Sequence, residues 1–126
     1  MRAHMTRQFL LIGAPGRAWS KTLQAAVKPL FGELDVYDKT QGYLNGYKKK
    51  YDMVVIDGTE VDHAEEWVAR LRSQLPSTRI VVLAARPTWE QAREAFLAGA
   101  MDYTEKLSDK DKLSKLLSDL LEKPVA

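Results

Sequence analysis

The sequence contains no cysteine, and that absence excludes several kinds of chemistry at once. A chain without thiols has no disulfide framework, no zinc ribbon and no thiol nucleophile. Its longest apolar runs are five or six residues, whereas a helix that crosses a bilayer needs about 18. The first seven residues also lack the apolar segment of a signal peptide. We therefore expect a cytoplasmic protein with no part in a membrane.

An excess of charge of one sign is also missing, because 19 Lys and Arg residues stand against 17 Asp and Glu residues. A dedicated nucleic-acid binder normally has a clustered basic face, so we do not expect this domain to bind nucleic acid. The run Lys48–Lys50 is too short to change this expectation and is interpreted as a solvated loop. The two histidines, His4 and His63, have no second histidine at ligand spacing, and we expect no metal site.

The chain has 126 residues, of which 45% are hydrophobic, and this is typical of one globular domain with its own core. We place a single domain at residues 6–123. Residues 1–5 are predicted to be disordered or derived from a tag, because His4-Met5 is typical of a cloning remnant ahead of a native start at Met5. The segment 123–126 is interpreted as a domain edge, as in a domain excised from a longer chain.

Short apolar runs alternate with segments of helical periodicity. The runs predict strands at 8–12, 34–37, 53–57, 80–84 and 101–104. Helices are predicted from capping boxes at Asp62/Glu65, Thr88/Gln91 and Ser108/Asp111, from the periodic residues 23–31, and as a short or irregular helix at 40–50. Three of the strands are apolar on both faces, as in a parallel sheet covered by helices. The sequence therefore predicts an α/β fold, a doubly wound five-stranded parallel sheet in a three-layer α/β/α sandwich.

Ligands of such a fold bind outside the carboxyl ends of the strands. Asp57 ends the third strand and Lys106 follows the fifth, so a carboxylate and an ammonium group meet at this edge. They suit a nucleophile with its electrostatic partner. The alternative is that Asp57-Gly58 is a turn and Lys106 a solvated loop residue.

Residues 8–122 resemble the receiver domain of bacterial two-component response regulators, which has a flavodoxin-like fold. The resemblance is carried by residues 51–57, and by 79–106 with the segment Ala98-Gly99-Ala100-Met101-Asp102-Tyr103 inside them. It implies a regulatory role in phosphorelay signal transduction, with no enzyme activity of its own. It also implies that Asp57 matches the phospho-acceptor, Lys106 the conserved lysine, and Ala84 with Tyr103 the switch pair.

The sequence departs from the receiver pattern where the metal would bind. The resemblance implies two adjacent acids after the first strand, and the chain has Gly13 and Ala14 there. It implies a hydroxyl at position 84, and the chain has alanine. Magnesium needs hard oxygen ligands, so we expect no magnesium cofactor and no working phosphorylation of Asp57. We expect a direct ion pair or a water-bridged contact between Asp57 and Lys106, and an inward Tyr103 that fills the space beside Ala84.

Two other sites at this edge are weighed and left as alternatives. Arg17 and Arg86 lie in loops at the same edge as Lys106 and suit a small anion. Residues 13–22 follow a strand as a phosphate-binding loop does, but Pro15 and Ser20 occupy the glycine positions of that motif, which favours an ordinary turn.

The sequence thus predicts a pseudo-receiver, a module of signal transduction that works by protein interaction. Trp89, Arg93 and Tyr103 are its expected interaction face, and Leu120 or Leu121 could reach a dimer interface. The expected partner is a signalling protein or a fused effector domain, with a homodimer also possible. The alternatives are a working phospho-receiver in which Glu60 or Asp62 supports the metal at Asp57, and a small-anion sensor at the same edge.

Overall fold

The computed structural model describes residues 6–14, 16–38 and 50–125. The expectations for residues 1–5, for Pro15, and for the irregular helix and lysine run within 39–49 lie outside these residues. Five strands form one parallel sheet: β1 Arg7–Gly13, β2 Gly32–Asp38, β3 Met53–Asp57, β4 Arg79–Ala84 and β5 Asp102–Glu105. Its strand order is β2-β1-β3-β4-β5, and every neighbouring pair is parallel. The predicted doubly wound α/β fold is confirmed.

Four α-helices are described: α1 Ala18–Val27, α2 Ala64–Gln74, α3 Trp89–Ala98 and α4 Lys110–Glu122, with a 3-10 turn at Lys28–Leu30. Side chains alternate between the two faces of a strand, so the buried strands feed two cores. Leu10, Ile12, Val54 and Ile56 pack beneath α2 and α3. On the opposite face, Phe9, Leu11, Met53 and Val55 pack with residues of α1 and α4. Within the described chain, no helix is long and apolar enough to cross a membrane.

Of the three predicted N-cap residues, Asp62 and Ser108 are wrong and Thr88 is confirmed. Helix α2 begins after His63, whose backbone is left-handed at φ 55°, and no side chain caps it. Helix α4 is capped by Asp109, whose carboxylate accepts hydrogen bonds from the N–H groups of Asp111 and Lys112. The Thr88 cap of α3 is correct, since its hydroxyl accepts from the N–H of Gln91. Asp109 displaces Ser108 because its carboxylate is one residue closer to the free N–H groups of the first turn.

Helix α3 packs on the sheet through small residues. Ala95 is its only fully buried residue, and Ala92 and Ala98 are half-buried. Gly99 ends it with a left-handed backbone at φ 115°, where its N–H bonds back to the last turn. An alanine contact face fixes the position of the helix while leaving its large side chains on the outside.

Candidate functional site

The carboxyl ends of β3 and β5 bring the two predicted residues together. The Nζ of Lys106 lies 2.7 Å from the Oδ1 of Asp57. Both side chains are shielded from solvent, with 15% of Lys106 and 6% of Asp57 exposed. The predicted ion pair is therefore present as a direct and nearly buried contact. The predicted turn after Asp57 is also present at residues 58–60, but Lys106 is not a solvated loop residue.

Asp57 is also held by the loop that follows it. Its Oδ1 accepts hydrogen bonds from the N–H groups of Thr59 at 3.0 Å and Glu60 at 3.2 Å. Its backbone carbonyl accepts from the N–H of Val61. Three donors thus converge on one carboxylate oxygen, in a place where an unpaired polar group would be costly.

Lys106 has a second neighbour that the sequence did not point to. Its Nζ lies 5.0 Å from the centroid of the Trp19 ring, within the range of a cation–π interaction. The indole Nε1–H of Trp19 donates to the carbonyl of Leu107 at 3.0 Å. Trp19 is half-buried at the start of α1, so a helix far away in sequence covers the end of β5.

The end of β1 offers no side-chain oxygen to a metal ion, because it consists of Gly13 and Ala14. A Cβ added to Gly13 would lie 3.0 Å from the Cβ of Asp57, so an acid at position 13 requires a small shift of one of the two strands. Magnesium prefers several carboxylate and water oxygens in octahedral geometry. A single carboxylate already bonded to an ammonium group and two N–H groups does not match that donor set.

Neither of the two arginines considered for an anion site forms an ion pair with Asp57. The Nε of Arg17 is 3.5 Å from the Oε1 of Glu60, in a pair that is mostly solvent-exposed on the arginine side. Arg86 is exposed and lines a cavity of about 280 Å³ beside Ala84. Of the three cationic side chains considered at this edge, Lys106 pairs with Asp57 and Arg17 pairs with Glu60, and an anion site formed by them stays a prediction. Glu60, one of the two residues considered as metal support, is engaged by Arg17.

Tyr103 joins β5 to α3. Its ring is half-buried against the core beneath α2 and α3, and its hydroxyl donates to the Oε1 of Gln91 at 2.7 Å. Burial raises the pKa of the Tyr103 phenol above its usual range, with the charge of Glu65 as a further cause. The cavity beside Ala84 is lined by Gln91 and does not include Tyr103, which lines the adjoining cleft. That Tyr103 fills the space left at Ala84 stays a prediction.

Three of the exposed large apolar side chains among the described residues lie on the outward side of α3, and Phe31 is exposed in another part of the fold. Trp89 is 71%, Phe96 46% and Leu97 74% exposed. Trp89, Arg93 and Phe96 recur at spacings of four and three residues, so they lie on one stripe of the helix that does not include the buried Ala95. We call these four residues, Trp89, Arg93, Phe96 and Leu97, the α3 face. Leu120 is buried and Leu121 half-buried, so only Leu121 of the two reaches the surface.

His63 has acidic neighbours that its lack of a second histidine did not suggest. Its Nδ1 lies 3.5 Å from the Oε1 of Glu65 and 3.9 Å from the Oε2 of Glu66. The three side chains lie within ligand spacing of one another, but all stand at the surface at the start of a helix. They are a charged helix end, and the site at Asp57 does not include them.

Comparisons with known proteins support the fold. No family model matches the chain, and no curated protein matches it by sequence. A response regulator from Thermotoga maritima superposes with a TM-score of 0.81 at 19% identity, over 94% of this chain and 100% of that one. A signal receiver domain of an HD domain-containing protein from Pseudomonas fluorescens Pf-5 gives a TM-score of 0.77 at 23% identity, over 97% and 91% of the two chains.

A third similar structure is an atypical orphan response regulator, described as having a phosphorylation-independent regulatory mechanism. It gives a TM-score of 0.74 at 22% identity, over 94% of this chain and 99% of that one. These identities support a shared fold and do not by themselves assign a shared activity. The chain has the fold of response-regulator receiver domains, as its resemblance implied.

Proposed function

We propose that this protein is a regulatory receiver-like module of signal transduction that works by protein interaction and without magnesium-dependent phosphorylation of Asp57. The observation that carries the proposal is the state of Asp57. Its carboxylate is bonded to Lys106 and two N–H groups, beside a first strand that ends in glycine and alanine. Phosphoryl transfer depends on metal and positioning, and this edge supplies little of either.

The α3 face supports the interaction part of the proposal. Large apolar side chains that stand together at a surface favour contact with another protein, because covering them removes apolar area from water. Tryptophan and arginine are also the residues that most often dominate binding energies at interfaces. Trp89 and Arg93 lie one helical turn apart on this face. The partner is a signalling protein or a fused effector domain, and a second copy of the chain fits the same description.

A working phospho-receiver is a second candidate, favoured by one observation. Asp57 and Lys106 lie at the edge where the resemblance places the acceptor and its lysine. An anion sensor is less well supported, because Lys106 and Arg17 are each engaged by a carboxylate.

The test compares, in the native host, how much the Asp57 edge and the α3 face each contribute to signalling. The chromosomal copy is replaced by Asp57→Asn or by Trp89→Ala, and changes in the proteome are compared with those of a deletion. We expect Trp89→Ala to reproduce the deletion and Asp57→Asn to resemble the wild type. The reverse result, with folded protein in both strains, would establish the phospho-receiver instead.

A matched control is available at Phe31, an aromatic residue that is 62% exposed and lies away from the α3 face. Its backbone is left-handed at φ 56°, so asparagine, which tolerates that conformation, is the suitable replacement. Phe31→Asn should leave the proteome unchanged. A deletion-like result for this control would show that loss of any exposed aromatic, and not the α3 face in particular, causes the effect.

A further inference from the structure

The Lys106 ammonium group lies between a carboxylate and an aromatic ring. Asp57 binds it at 2.7 Å on one side, and the Trp19 ring lies 5.0 Å away on another. An ammonium group near a ring face is attracted by the ring quadrupole, more strongly where water is excluded. Only 15% of the Lys106 side chain is exposed, so its ammonium group has little contact with water.

Trp19 also holds the backbone beside this lysine. Its indole N–H donates to the carbonyl of Leu107, the residue directly after Lys106. The backbone N–H of Lys106 donates to the carbonyl of Ala84 at the end of β4. The head group and the chain around Lys106 are therefore fixed by β3, β4 and α1 together.

We infer that Trp19 is a positioning residue that keeps the Lys106 ammonium group on Asp57 and so closes this edge to incoming anions. To meet a ligand in solvent, the ammonium group would have to leave the carboxylate and the ring, and the segment after β5 would have to leave α1. The inference concerns how the edge is kept closed. It does not depend on which partner binds the α3 face.

The measurement is the rate at which an amine-reactive reagent acylates each lysine, followed by peptide mass spectrometry on the full chain. Exposed Lys28 and Lys115 serve as internal references. Relative to them, we expect Lys106 to label about threefold to tenfold faster in Trp19→Leu than in the wild type, since loss of the ring contact raises the open population by that order. Trp19→Phe keeps a ring but loses the N–H donor, and we expect a smaller rise.

The chain contains a matched control. Trp67 makes a T-shaped contact with Tyr37, and its ring centroid lies 5.3 Å from the guanidinium of Arg70, on the opposite face of the sheet from Trp19. Trp67→Leu removes a half-buried tryptophan and a cation–π contact of the same kind, and it should leave the relative labelling of Lys106 unchanged.

Each result decides for or against the role of Trp19. A selective rise at Lys106 in both Trp19 variants supports it. Unchanged Lys106 labelling in a folded Trp19→Leu variant overturns it, as does a rise in Trp67→Leu as large as that in Trp19→Leu. If Trp19→Leu raises the labelling of all lysines together, the variant has lost its fold, and the Trp19→Phe comparison decides alone.

Discussion

The carboxyl edge at Asp57 and the α3 face differ in whether their side chains have partners within the domain. At the edge, a carboxylate and an ammonium group are bonded to each other and covered by Trp19. On the α3 face, three large apolar side chains have no such cover within the described structure. Under the proposed function, this difference means that the edge serves the stability of the fold and that the α3 face serves a partner.

Substitutions at the edge should therefore lower the unfolding free energy much more than substitutions on the α3 face. The largest effect on stability is expected for Lys106→Ala, which leaves the nearly buried charge of Asp57 without its counter-ion. Removing one partner of such a pair costs about 2–4 kcal/mol of unfolding free energy. Chemical denaturation measures the loss.

Arg17→Ala is the control for this prediction, because it breaks the exposed pair with Glu60 at the same edge. Exposed pairs contribute about 0–1 kcal/mol. Equal losses in the two variants would mean that the Asp57–Lys106 pair is as solvated as the surface pair, and that the edge is open.

Tyr103→Phe tests the link between the two regions. Removing the hydroxyl deletes its hydrogen bond to Gln91 and should cost about 0.5–1.5 kcal/mol. Gln91→Ala should give a similar loss, and the double variant should lose no more than about one of them, because the two side chains share one bond. Additive losses would show that Tyr103 and Gln91 act independently.

The ionisation of the Tyr103 phenol tests the surroundings of its ring in a second way. Burial and then the charge of Glu65 raise the pKa of its phenol in the folded state. A raised pKa contributes stability that is present below the ordinary tyrosine range and is lost as the pH rises through the folded value. Ultraviolet titration of Glu65→Gln should show Tyr103 ionising at lower pH than in the wild type.

The smallest effect on stability is expected on the α3 face. Trp89→Ser removes a side chain that is 71% exposed, and the unfolding free energy should change by less than about 0.5 kcal/mol. A loss of more than about 1 kcal/mol would show that Trp89 packs against the domain itself and does not stand ready for a partner.

The sequence could predict the sheet because apolar runs and their spacing are local signals. The third strand was placed at its observed bounds, 53–57, and the other four within about two residues. The caps were harder to predict, because Ser108 and Asp109 are neighbours and only the backbone geometry decides which carboxylate or hydroxyl reaches the free N–H groups.

Part of the site could be predicted once the strands and their parallel order were predicted. Asp57 and Lys106 meet because parallel strands end at one edge, which is a property of topology. Trp19 was missed because its contact with Lys106 spans 87 positions and depends on how α1 crosses the end of β5. That Arg17 pairs with Glu60 and not with Asp57 also depends on a side-chain choice that no spacing rule contains.

The most direct test of the closed edge is exposure of the whole protein to acetyl phosphate and magnesium, followed by intact-mass measurement. Gly13 and Ala14 supply no metal ligand, and Lys106 is paired with the Oδ1 of Asp57, so we predict no phosphoryl adduct. The amide resonances of Thr59 and Glu60, which report on the Asp57 carboxylate, should also stay unchanged when beryllofluoride and magnesium are added. An adduct that forms on the wild type and disappears in Asp57→Asn would contradict the account.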